Sequence, residues 1–246
     1  MFTLEHVSKR YGPTTALNRF SHAFQPNRTT AIIGHSGCGK STLLRLCLGL
    51  IQTDTGRVLF GSTPLGPDTI TDIRHRTGYV IQDGGLFPHL TAFENAALLP
   101  RRLGWEKDRA RARAEILTRT LGLKTYHLDR FPLELSGGQR QRIGLLRALM
   151  TDPEVLLMDE PLGALDPIIR AELQGHLVGL FRQMEKTVIL VTHDVGEAGL
   201  FGHEILLMKS GGIEQQGTLK DLVRTPSSDF VRDFVNAQRS PLESIR

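Results

Sequence analysis

Gly34-His35-Ser36-Gly37-Cys38-Gly39-Lys40-Ser41 is the stretch on which the reading of this chain turns. Its glycines let the backbone curl tightly, so that successive N–H groups face inward toward phosphate oxygens. In that geometry Lys40 reaches the β- and γ-phosphates of a nucleoside triphosphate, and Ser41 offers a hydroxyl ligand to Mg²⁺. The flanks agree. Apolar Ala31-Ile32-Ile33 leads in like a buried strand, and Ser41-Thr42-Leu43-Leu44-Arg45-Leu46 leaves like a helix whose positive N-terminal end favours an anion. A glycine-rich turn that binds nothing is the alternative, and it leaves this strand–loop–helix setting without a reason.

The 246 residues allow one large α/β domain or a core carrying a subdomain. Hydrophobic residues make up 40% and charged residues 23%, an ordinary globular balance. A formal net charge of +4 is too mild to imply a nucleic-acid partner. Basic residues do gather at Arg101-Arg102 and from Lys107 to Arg113, which reads first as a solvated helix face and second as a binding patch. Two cysteines argue against a disulfide framework and suit a reducing compartment. Cys38 lies in the phosphate loop, and Cys47 in the apolar helix after it. With no signal peptide and no apolar run of membrane-spanning length, the chain is not expected to cross a bilayer.

Along the chain, Phe2-Thr3-Leu4 and Ala16 to Phe20 read as antiparallel strands flanking the phosphate loop. Four apolar runs follow the pattern of strands buried on both faces of a parallel sheet: Ala31 to Ile33, Tyr79 to Ile81, Val155 to Met158 and Val188 to Val191. Each ends in polar residues suited to chemistry, respectively Gly34, Gln82, Asp159-Glu160 and Thr192-His193. Ligands of open parallel sheets sit beyond the carboxyl ends of the strands, so four such motifs are expected to surround one phosphate chain. Between Pro88 and Met150 the texture turns helical, at Glu94 to Leu99, Asp108 to Leu121 and Gly138 to Met150, with breaks at Pro100, Gly122 and Pro132. The tail from Leu219 to Ala237 reads as a helix with Phe230, Val231, Phe234 and Val235 on one face.

Two segments carry further chemistry. Val155-Leu156-Leu157-Met158-Asp159-Glu160 is an apolar strand delivering two acids at its tip. Asp159 is placed to hold Mg²⁺, directly or through water, and Glu160 to polarise an attacking water. Adjacent acids at a buried strand end are unfavourable without a cation or a hydrogen-bonded network, although a solvated strand end remains the plain alternative. In Leu135-Ser136-Gly137-Gly138-Gln139, Ser136 and Gln139 fit a capping box at a helix start. The two glycines of that first turn cost about 1 kcal/mol each relative to alanine. Capping does not require that cost, whereas close approach of the backbone to a phosphate does.

In order and spacing these motifs resemble the nucleotide-binding subunit of ATP-binding cassette (ABC) transporters. The likeness runs from about Phe2 to Gly217 and rests on the phosphate loop, Gln82, the Leu-Ser-Gly-Gly-Gln segment, the Asp159-Glu160 strand, Gly163-Ala164-Leu165-Asp166 and His193. It implies a P-loop NTPase (RecA-like) α/β fold with a mostly parallel sheet. An N-terminal antiparallel β subdomain would accompany residues 1–87 and 151–246, and an inserted α-helical subdomain would span 88–150. It implies ATP and Mg²⁺ as cofactors, with two copies pairing head to tail around two ATP molecules. Ser136, Gly137, Gly138 and Gln139 of one copy would then complete the other's site.

By the same resemblance Tyr11 stacks on adenine, and Gly34, His35, Ser36, Gly37, Cys38, Gly39, Lys40, Ser41 and Thr42 cradle phosphate. Ser41, Gln82 and Asp159 serve Mg²⁺, Glu160 is the general base, and His193 contacts the γ-phosphate, with Gln82 and Lys40 also in the catalytic set. Asp166 crosses the dimer interface in the family. Followed by Pro167, it also makes a good helix cap, and the two roles are compatible.

The stretch from Asp83 to Asn95, the segment Asn95 to Pro100 and the tail Asp229 to Val235 are similar to bacterial importer ATPases. The nearest likeness is the branch handling glycine betaine, carnitine, choline or proline. That implies integral membrane permease subunits as partners, a solute-binding protein indirectly, and a peripheral position on the cytoplasmic face of the inner membrane. Many members of the branch continue into a pair of regulatory domains. This chain stops at Arg246 and departs from that pattern there, which puts an osmotic-sensing role in doubt. Two other classes stay in view: a soluble cassette ATPase acting on nucleic acid or ribosomes, and a small-molecule kinase using Lys40. The short span from Lys40 to Ser136 leaves no room for the long coiled coil of repair-type cassettes, and a kinase leaves the Ser136 glycines unexplained.

Overall fold

Phe2, Leu4 and Val7 are fully buried along β1 (Phe2–Tyr11), which pairs antiparallel with β2 (Thr14–Ala23) across a tight Gly12-Pro13 turn. The computed structural model describes residues 1–82, 84–163, 165–183 and 185–238, without the side chains of Arg182 and Gln183. Asp83, Ala164 and the chain end at Arg246, all part of the sequence reading, lie outside the described residues, as does Met184. The chain divides into two compact units, Met1–Ile70 with Ile189–Arg246, and Thr71–Val188.

In the first unit β4 (Thr55–Phe60) and β5 (Thr63–Pro64) extend the N-terminal sheet to the order β2-β1-β4-β5, antiparallel throughout. Phe2 and Phe60 meet edge to face at 4.9 Å, which ties the two central strands together. The second sheet of this unit is built on β3 (Thr29–Ile33), whose five residues are all buried. β3 runs parallel to β9 (Glu204–Lys209), and β10 (Gly212–Gly217) closes the edge antiparallel to β9. The all-apolar reading of Ala31 to Ile33 thus corresponds to a strand covered on both faces. Helix α1 (Lys40–Cys47) leaves the phosphate loop, burying Leu43, Leu44, Leu46 and Cys47.

The second unit opens with α2 (Ile70–His75), followed by β6 (Thr77–Val80), which is parallel to β7 (Val155–Asp159) from Thr77 opposite Val155 to Val80 opposite Met158. Between these strands lie α3 (Ala92–Ala96), α4 (Leu98–Arg102), α5 (Lys107–Thr120) and α6 (Gly137–Leu149), with 3-10 turns at Thr125–Asp129 and Pro132–Glu134. After β7 comes α7 (Pro167–Gln183), and β8 (Thr187–Val191) returns the chain to the first unit. Among the described residues, no helix is long and apolar enough to cross a membrane.

Three boundaries differ from the sequence reading, two of them for a steric reason. The run Glu94 to Leu99 is not one helix: α3 ends at Ala96 and α4 starts at Leu98. In a continuous helix the Pro100 ring would strike the Ala96 carbonyl, so the break falls before the proline, which then sits in the first turn of a new helix. The tail is likewise two helices, α9 (Leu219–Arg224) and α10 (Asp229–Ala237), because Pro226 drives Thr225 out of helical geometry. Ile81, expected in a strand, lies just past the end of β6.

Candidate functional site

The phosphate loop of the first unit forms where β3 gives way to α1. Gly39 sits at the helix start with φ +107, and a Cβ there would strike the Ala16 carbonyl oxygen, so only glycine fits. Lys40 is 7% exposed, and its Nζ donates to the carbonyl oxygens of Gly34 at 2.8 Å and His35 at 3.0 Å. The sequence places this ammonium on phosphate oxygens. In the structure it folds back on its own loop, because a buried ammonium needs acceptors and these carbonyls are nearest. A phosphate chain entering the loop would exchange neutral acceptors for charged ones. Ser41 and Thr42 follow Lys40 in the first turn of α1, and Tyr11, at the end of β1, is 46% exposed.

His193 lies two residues past β8 in a turn held by a dense local network. Thr192 N–H donates to Ile32 O at 3.1 Å, and Thr192 Oγ1 donates to the buried Glu197 carboxylate at 2.6 Å. Asp194 caps α8 (Val195–Phe201): its N–H donates to Thr192 Oγ1 at 3.1 Å, and its Oδ1 accepts from Glu197 N–H at 3.0 Å. The turn is thereby fixed on both sides of an exposed imidazole. A cleft of about 460 Å³ is lined by Gly34, His35, Ser36, His193, Asp194, Phe234 and Gln238. The structure therefore brings His193 to the head of the phosphate loop.

In the second unit, Asp159 is the last residue of β7 and Glu160 the first beyond it. Glu160 has φ +46, a left-handed conformation unfavourable for an L side chain, and such strain concentrates at functional positions. A turn bond from Gly163 N–H to Glu160 O, 3.2 Å, holds it there. Ser136 caps α6 in the expected box, accepting from Gln139 N–H at 3.3 Å while Gln139 Oε1 accepts from Ser136 N–H at 2.9 Å. Asp166 is the cap of α7, its Oδ1 accepting from Ile168 and Ile169 N–H at 3.1 Å each.

The glycines after Ser136 have different reasons. A Cβ on Gly138 would collide with Ile169 Cγ2, so packing against α7 already demands glycine there. A Cβ on Gly137 would meet nothing closer than Leu165 Cδ2 at 3.7 Å, which leaves Gly137 as the position open to a ligand. The sequence reading assigns both to phosphate approach; only Gly137 keeps that as its sole explanation.

Gln82 lies in an exposed turn after β6, and Arg147 of α6 pins the residues just beyond it, donating to Gly85 O at 2.7 Å and Gly84 O at 3.0 Å. Arg142, buried on the same helix, donates to Gly122 O at 3.2 Å and to Glu172 Oε1 at 2.7 Å, and this guanidinium holds the Glu172 carboxyl below its ordinary range. Sequence reasoning passed over these arginines, Gln238 and the Thr192–Glu197 pair, and it placed Phe234 on a helix face without linking it to the site. The spacing of Phe230, Phe234 and Gln238 at intervals of four is the signal that extends the apolar face of that tail helix to Gln238.

Both cysteines are free and buried. Burial pushes the Cys38 thiol above its ordinary value, against the opposing pull of Lys40, whose Nζ is 3.9 Å from Sγ. Complete burial pushes Cys47 up to about 12. Only the thiolate reacts, so maleimide should label Cys38 slowly at neutral pH and Cys47 not at all in the folded protein, the rate rising as pH rises toward the Cys38 pKa. Mass spectrometry of a time course checks this, with bound ATP expected to protect Cys38. Labelling of Cys47 first would overturn it.

Comparison with known proteins places this geometry. A profile of the ABC transporter family matches residues 17–163. The choline transport ATP-binding protein OpuBA of Bacillus subtilis is 40% identical over 240 residues, covering 97% of this chain and 63% of its own length. The glycine betaine uptake system ATP-binding protein YehX of Escherichia coli is 41% identical over 234 residues, covering 95% of this chain and 76% of its own. This chain thus spans less than two thirds of the first of these relatives. Among solved structures, a dimeric ATP-binding cassette in a post-hydrolysis state, bound to ADP and Pi, superposes with TM-score 0.79 at 32% identity over 89% of this chain and 99% of that one. The cbiO1 protein from Clostridium perfringens, part of the cbiONQ complex, superposes with TM-score 0.82 at 27% identity over 99% of this chain and 96% of that one. A profile spanning more than half of the residues, and a relative matched over three quarters of its own length, leave one assignment: the chain belongs to the ABC transporter family.

Proposed function

We propose that this chain binds and hydrolyses ATP with Mg²⁺, and that it energises an importer of quaternary-amine osmoprotectants such as glycine betaine, choline or carnitine. The observation that carries the ATP reading is the buried Lys40 ammonium, held by loop carbonyls at a strand-to-helix junction. The relatives named for choline and glycine betaine transport support the cargo class. Ser41, Gln82 and Asp159 are hard oxygen donors of the kind Mg²⁺ takes, and the ion would neutralise charge on the β- and γ-phosphates. Tyr11 would stack on adenine, and the loop from Gly34 to Thr42 would wrap the phosphates.

In the reaction, a water oxygen attacks the γ-phosphorus while the bond to the β–γ bridging oxygen breaks. Glu160 accepts the water proton, and ADP keeps the bridging oxygen. Lys40 offsets charge on the transferred group, and the His193 imidazole donates a hydrogen bond to it. A second copy would pair head to tail, with its Ser136, Gly137, Gly138 and Gln139 reaching the γ-phosphate and its Asp166 crossing the interface. Loss of that phosphate then loosens the pair, a binding equilibrium shifted by one group. Residues 88–150 would act as the helical subdomain that carries Ser136 to Gln139, and Gln82 would lie at the interface with the permease. The chain would sit peripherally on the cytoplasmic face of the membrane, meeting a solute-binding protein only through that permease. Purification of the tagged chain from membranes, followed by ATP-driven uptake of labelled glycine betaine into vesicles, tests the reading. It should carry an integral membrane subunit with it. Co-purification with DNA or ribosomes instead, or a phosphorylated acceptor in place of free phosphate, would replace the proposal.

A further inference from the structure

The last described helix reaches the phosphate loop and the His193 turn at the same time. Phe230, Phe234 and Gln238 are spaced by four, so they form one ridge along α10 and its cap, roughly 12 Å long at 1.5 Å per residue. At one end of the ridge, the His35 ring meets Phe230 at 5.5 Å and Phe234 at 5.1 Å, edge-on to each. The Lys209 ammonium covers Phe230 at 4.4 Å from the ring centre. At the other end, Gln238 Oε1 accepts the Val195 N–H at 2.8 Å. Val195 is the first residue of α8, two residues after His193, and its N–H is one of the donors a helix start leaves without an internal partner. Beneath the ridge, Val231, Phe234 and Val235 are buried with Ala31 and Ile33 of β3, the strand that feeds the loop. Phe234 and Gln238 also line the cleft shared by Gly34, His35, Ser36 and His193.

We infer that α10 is a positioning element of the nucleotide site, a brace whose Phe230–Phe234 pair sets the phosphate loop through His35 and whose Gln238 sets the His193 turn through Val195. The inference rests on reading the cleft as the nucleotide side of the protein, as proposed above. Its physical basis is that His35 cannot swing without leaving two aromatic edges, and the 193–195 turn cannot shift without losing a bond to its backbone. The loop end of the brace acts on ATP binding, because His35 supplies one of the carbonyls that hold Lys40. The turn end acts on the chemical step, because the proposed reading sets His193 on the γ-phosphate, the group that is transferred.

Steady-state ATP hydrolysis and melting temperature of Phe234→Leu, Gln238→Ala and Gln238→Glu test the brace. Phe234→Leu keeps apolar volume but removes the ring edge, so KM for ATP should rise about threefold to tenfold with kcat nearly unchanged. Gln238→Ala removes one hydrogen bond and should lower kcat about fivefold at unchanged KM. Gln238→Glu keeps an acceptor at the same reach and should restore kcat. A purely structural helix predicts otherwise: kcat falling with melting temperature in every variant, and Glu no better than Ala. That result, or wild-type kinetics in Gln238→Ala, overturns the inference. If Phe234→Leu does not fold, the Ala and Glu pair at Gln238 decides alone. Wild type and Lys40→Ala separate the two levels: if wild type hydrolyses no ATP, or if Lys40→Ala hydrolyses it equally, the nucleotide reading fails rather than the brace.

Discussion

Glu160→Gln should lower ATP turnover by about 10²- to 10⁴-fold while leaving ATP affinity within a few-fold of wild type, because the change removes a proton acceptor and little else. The substitution is nearly isosteric and keeps the turn in which Gly163 N–H donates to Glu160 O at 3.2 Å. It also keeps the left-handed backbone at φ +46, so the geometry of the strand tip survives. Holding an L residue there costs on the order of 1–3 kcal/mol, which the surrounding turn must offset. A variant that binds ATP and does not hydrolyse it should collect as the closed pair, visible as a doubling of mass in sedimentation with ATP and Mg²⁺. Steady-state phosphate release close to that of wild type would remove Glu160 from the base role.

Lys40→Ala should weaken ATP binding by about 10- to 150-fold, the worth of one charge-assisted hydrogen bond at 1.5–3 kcal/mol, and turnover should fall with it. The structure sharpens this expectation. Without nucleotide, Nζ is already satisfied by Gly34 O at 2.8 Å and His35 O at 3.0 Å, so binding gains the difference between carbonyl and phosphate acceptors. His35 is exposed, so water can replace the lost bond at its carbonyl, but Gly34 is buried and its carbonyl loses its partner, so the melting temperature without ATP should fall. The stabilisation that ATP confers on wild type should largely vanish. Titration calorimetry and thermal melts with and without ATP read both quantities. An unchanged dissociation constant would show that the ammonium never leaves the loop carbonyls.

Features carried by spacing over a few residues were legible before any coordinates. Ser136 with Gln139 is a capping box, and Asp166 before Pro167 is a cap, because the partners lie within one helical turn. The phosphate loop was readable because glycines, lysine and serine act there through the local backbone. All-apolar runs marked β3, β7 and β8, since a strand covered on both faces leaves no polar position. Prolines were read less well. Pro100 marks a break in the sequence, but its ring acts on the carbonyl four residues earlier, and Pro226 interrupts a tail whose apolar periodicity runs straight past it.

What the linear chain could not disclose depends on groups far apart along it. Gly138 is glycine because Ile169 packs on it, and Gly39 because the Ala16 carbonyl lies against it. The resting partners of Lys40 follow from how far the loop curls, which no spacing rule gives. His35 meets Phe230 and Phe234 across nearly the whole length of the sequence, and Gln238 finds the Val195 N–H only because α10 lies against β3 and α8. Local order is written in short-range hydrogen bonds and steric limits that repeat with the helix or strand period. Which distant side chain fills which gap is settled by close packing, where one arrangement satisfies every buried group at once.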